Sequence, residues 1–114
     1  MQEALEKVGK NNIKISDRIK NKIERNTGLS INTILDKLYD FKSYVFAAKY
    51  ISGDYRIITE LSSKYHLVIV IFINYEIRMA TAFKSSKDLE KLLKKSQIIY
   101  NITKKIPEES SINV

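Results

Sequence analysis

The chain has 114 residues, 44% of them hydrophobic, with three glycines, one proline and no cysteine. That is enough for one domain with its own core and too apolar for a disordered chain; it excludes disulfides and zinc–thiolate sites. The net charge is +7 and the pI about 9.5, a balance that favours anionic partners.

The basic excess belongs to the body of the chain. Residues 1–53 carry ten Lys/Arg against six Asp/Glu, residues 54–106 carry ten against five, and residues 107–114 carry none against two. Such a surface attracts nucleic acid first, an acidic protein, such as an inhibitor, second and an anionic membrane third; the plain alternative is a charge that only keeps the protein soluble. The opening MQEALEKVGKNN has no apolar stretch of the kind a signal peptide needs. The longest apolar run, LVIVIFI at 67–73, is too short to span a bilayer as a helix. The expectation is a cytoplasmic protein with no membrane partner.

Residues 1–8 suit a short amphipathic helix through Ala4, Leu5 and Val8, stopped by Gly9. NIKIS (12–16) alternates and reads as a short strand. Ser16 or Asp17 can cap a helix running to about Thr27, with Ile19 and Ile23 inward and Gly28 as its stop. Ser30 can cap a further helix, with Ile31, Ile34, Leu35 and Leu38 on one stripe. SYVFAAKYI (43–51) either continues that helix or forms a strand, and the SGD turn signal after it favours the strand.

Three strands follow: YRIITEL (55–61), YHLVIVIFI (65–73) and EIRMATAFK (76–84). The middle one is apolar on both faces, so it must be central and covered twice. The last should carry Ile77, Met79, Thr81 and Phe83 on one face. Their short polar connections imply antiparallel neighbours. Ser85 and Asp88 have capping-box spacing, and Leu89, Leu92, Leu93 and Ser96 predict a closing helix to about Lys104. The expected fold is therefore α+β: two N-terminal helices, an antiparallel sheet of three to five strands and a C-terminal helix. Residues 1–106 would form the single domain and 107–114 a flexible acidic tail.

Several stretches, in this order, resemble a known group. SGDYRII (52–58) resembles the G-x-Y-R-[IV] stretch of RelE/ParE-type toxins, and AFKSS (82–86) resembles the end of their last strand. ISDRIKNKIERNTGLS (15–30) is similar to the opening helix of mobile-element domains in the broader barnase–EndoU–colicin–RelE-like ribonuclease group, and TAF (81–83) to its last strand. The sequence departs from the group's pattern at its opening. Arg18 stands where a histidine would be, Lys22 stands for the first arginine, Arg25 matches the second, and Asn26 and Thr27 are inserted before Gly28. The resemblance implies a toxin-type endoribonuclease that needs no metal or other cofactor.

Such an enzyme needs cations for the phosphate and a group to move protons. Arg56 is the candidate phosphate clamp, weighed against a cross-strand partner for a carboxylate such as Glu76. Lys84 could add charge, His66 is the one histidine available for proton transfer, and Thr81 could hydrogen-bond a phosphate as the resemblance implies. On a regular strand Thr81 and Lys84 face opposite sides. Arg18, Lys22 and Arg25 share a helix face suited to phosphates, and Lys64 and Arg78 complete the candidate nucleic-acid contacts. The rival reading is a noncatalytic nucleic-acid-binding or protein-interaction module, or a homodimer, on the same scaffold. If Arg56, His66, Thr81 and Lys84 converge, the enzyme gains; if they scatter while the helix stripe forms one basic patch, the binder gains.

Overall fold

The computed structural model describes residues 1–100, the last three by their backbone alone. The expected acidic tail lies outside the described residues. Three helices precede the sheet: α1 (Gln2–Val8), α2 (Asp17–Thr27) and α3 (Ile31–Tyr39). The chain then forms β1 (Tyr44–Tyr50), β2 (Tyr55–Glu60), β3 (His66–Ile73), β4 (Ile77–Ser85), a single-turn α4 (Leu89–Leu92) and β5 (Ser96–Tyr100). The five strands make one antiparallel sheet in the order β4-β3-β2-β1-β5.

The helix ends follow local chemistry. Ser16 Oγ accepts from the Ile19 N–H at 3.3 Å and Ser30 Oγ from the Thr33 N–H at 3.2 Å, satisfying donors that helices leave open. Gly28 closes α2 at φ 72°, a left-handed conformation that glycine adopts without strain. Glu24 accepts from the Ile31 N–H at 3.0 Å, tying α2 to the start of α3.

The helices cover one face of the sheet. Leu5, Ile23, Ile34 and Leu38 pack there on Ala47, Ile57, Leu67, Ile69 and Ile71. Full burial of each large aliphatic side chain is worth about 2 kcal/mol. The opposite face carries Phe46, Ala48, Tyr50, Ile58, Val68 and Val70 under Leu92, with Leu89 and Leu93 at the margin. Residues 86–95 thus cross this face from the β4 edge to the β5 edge, and they cover only part of it. Phe72, Ala80, Thr81 and Phe83 stay half-exposed.

Four expectations are corrected. The helix expected over residues 1–8 is present as α1, so three helices, not two, precede the sheet. NIKIS makes only an isolated parallel bridge, Lys14 to Arg78, rather than a strand. In β4 the register shifts at Ala80, since Val70 pairs with Thr81 and Ile71 with Met79. This bulge turns Thr81 and Phe83 to the face opposite Ile77 and Met79. The closing helix stops after Leu92, and Ser96–Tyr100 is a strand; residues 101–104 of the expected helix lie outside the described residues. The reason is β1: six of its seven residues are buried, so its outer backbone groups need partners, which β5 supplies. Lys95 at φ 67° marks the turn into it. Ser85 ends β4, and its Oγ accepts from the Lys87 N–H at 3.2 Å instead of capping a helix.

Candidate nucleic-acid interface

Arg56 opens β2 on the sheet face away from the three helices. Its Nε donates to Asp54 Oδ2 at 2.8 Å, and its guanidinium lies 4.2 Å from the centre of the Tyr50 ring. Asp54 is itself fixed: its side chain is 5% exposed, and Ser52 Oγ donates to its other oxygen. Burial works against the Asp54 carboxylate, but the hydrogen bonds from Arg56 and Ser52 and the charge of Arg56 outweigh it and hold the pKa below its ordinary value. Tyr50 is anchored in turn by its hydroxyl, which donates to the Leu92 carbonyl. The arginine is therefore clamped at Nε and over its face. Its two terminal nitrogens donate to no described residue, and its side chain keeps 36% of its exposure. The carboxylate it pairs with is Asp54, not Glu76.

The other candidates divide. Arg56 pairs with Val70 and Val70 with Thr81, so Arg56 and Thr81 share a row and a face, two strands or about 10 Å apart. His66 is on that face too, but four residues beyond Val70, about 13 Å along the strand; its cross-strand neighbours are Glu60 and Ser85. Lys84 pairs with Leu67 on the helix-covered face and lies 5.4 Å from the Tyr65 ring. The bulge falls before Thr81, so it does not bring Lys84 round to join it. The four residues do not converge on one cleft.

The basic residues separate in the same way. Arg18, Lys22 and Arg25 are exposed along α2, which packs on the edge strand β4. Arg78 is exposed on β4 and lies 5.5 Å from the Phe72 ring, next to the end of the sheet that holds Arg56. Lys64 is in the β2–β3 turn at the other end. None of these five pairs with a described carboxylate. Helix α2 thus packs on β4 from one face of the sheet, while Arg78 lies on the opposite face.

Sequence reasoning missed the residues that hold Arg56. The signal was the spacing Asp54-x-Arg56, which puts both side chains on one face of an extended chain. It also missed the surroundings of Arg78: a groove at the tip of the β3–β4 hairpin, lined by Gly53, Phe72, Asn74, Tyr75 and Glu76.

No group of three or more His, Asp or Glu side chains suited to a metal occurs among the described residues, and no described helix is long and apolar enough to cross a membrane. No protein-family model, no curated protein and no solved structure matches the chain.

Proposed function

We propose that the chain is a small RNA-binding domain that grips phosphates through Arg56 and the basic flank of β4, without assembling an acid–base pair for cleavage. The observation that carries this reading is the state of Arg56. A guanidinium locked by Asp54 and Tyr50, with its fork left open on a half-covered sheet face, has already lost the freedom that binding would otherwise cost. Exposed Arg18, Lys22, Arg25 and Arg78, none of them paired with a described carboxylate, add positive charge around β4.

Binding is preferred to cleavage because proton transfer needs a group within hydrogen-bond reach of the reacting atom. His66 stands about 13 Å along the strand from the Arg56 row, and Arg18 occupies the position where the ribonuclease resemblance has a histidine. The test is anisotropy of a labelled single-stranded RNA over a salt series with EDTA present, followed by a sizing gel. The expected result is intact RNA and an affinity that falls linearly on a log–log salt plot. Cut RNA would restore the endoribonuclease reading; no binding at low salt would remove nucleic acid as the partner.

A further inference from the structure

We infer that the groove at the tip of the β3–β4 hairpin seats an unpaired nucleobase, so that the RNA this domain takes is single-stranded; the inference rests on the RNA-binding reading of Arg56. Three large hydrophobic residues are exposed among the described ones, and Tyr75 is the extreme, at 102% against 65% for Ile51 and 39% for Tyr65. At that exposure its ring packs on no described residue. Tyr75 lines the groove together with half-exposed Phe72, over which Arg78 lies. Aromatic faces and an arginine plane are the surfaces on which splayed-out bases stack. Asn74 and Glu76 also line the groove. Their amide and carboxylate can meet the donors and acceptors on a base edge, whereas the Glu76 charge repels a phosphate. The groove therefore suits the uncharged part of a nucleotide. Phe72 is two residues from Val70, the cross-strand neighbour of Arg56, so the near wall of the groove lies about 7 Å further along the sheet than the phosphate grip and one strand across from it. A duplex keeps its bases stacked inside and offers the groove nothing.

The test compares a labelled oligouridylate with a duplex RNA of equal length, by anisotropy, for the wild-type protein, Tyr75→Ala and Tyr75→Phe. Tyr75 is fully exposed, so neither substitution disturbs the core. The wild type should prefer the single strand. Tyr75→Ala should lose about ten-fold in affinity for it, Tyr75→Phe should keep it, and duplex binding should be the same in all three. A Tyr75→Ala variant that binds the single strand like the wild type, or weakens on both RNAs alike, overturns the base seat alone. A wild type that binds duplex as tightly as single strand does the same. A wild type that binds neither RNA overturns the phosphate-grip reading and the base seat together.

Discussion

The guanidinium of Arg56 lies 4.2 Å from the centre of the Tyr50 ring, across the turn that joins β1 to β2. The contact links the sheet, the crossing segment that holds α4 and the exposed end of β2. Tyr50 reaches the Leu92 carbonyl on one side and carries the arginine on the other. Asp54 completes the clamp from within the turn.

The clamp makes stability depend on acid. The Asp54 pKa is held below its ordinary value by Arg56 and Ser52 in spite of burial, so its carboxylate contributes stability that is fully present above its unfolded pKa, about 4. That contribution is lost as pH falls through the lower folded value. The difference in unfolding free energy between the wild type and Asp54→Asn should be constant at neutral pH and shrink below about pH 4. A difference that does not change with pH in chemical denaturation would contradict the assignment.

Most of the fold could be read in the chain because its signals are local. Ser16, Gly28 and Ser30 mark helix ends, and YRIITEL reads as a strand, which the structure buries on both faces through its middle. The last helix was misread because Leu89, Leu92, Leu93 and Ser96 satisfy helical spacing, while the need of β1 for an outer partner is a tertiary fact that no local pattern carries. The face of Thr81 was misread for a similar reason: one extra residue at Ala80 reverses the alternation beyond it, and nothing in MATAF announces it. At the site, Arg56 was legible as an unusual charge opening a strand. Its partner was not, because Asp54 sits within the SGD turn signal and nothing local marks Tyr50 as the surface on which the arginine lies.

Removing the Tyr50 hydroxyl isolates the other half of the clamp. Tyr50→Phe keeps the ring under Arg56 but leaves the Leu92 carbonyl without its donor. It should cost about 1 kcal/mol, measured by urea unfolding, with RNA affinity little changed. A variant as stable as the wild type would show that the hydroxyl does not fasten α4 to the sheet.

Thr59 offers a test of the core under the helices. Its residue is 2% exposed, and its Oγ1 is buried with no hydrogen-bond partner among the described residues. A buried hydroxyl left unpaired is a cost, and valine has the same shape without it. Thr59→Val should raise stability by about 1 kcal/mol. A loss of stability on thermal or urea unfolding would mean that the hydroxyl is satisfied in solution.

The measurement closest to the central claim is the salt dependence of single-stranded RNA binding by the wild type, Arg56→Lys and Arg56→Gln, with circular dichroism to confirm that each is folded. If Arg56 is held for a phosphate, Arg56→Gln should bind more weakly and its log–log salt slope should be shallower by roughly 0.7, the value of one lost contact on a single strand. Arg56→Lys should keep the slope and lose affinity, because a lysine carries the charge without the planar fork. Folded variants with the affinity and slope of the wild type would contradict the account and leave Arg56 as a charge that only fastens its own turn.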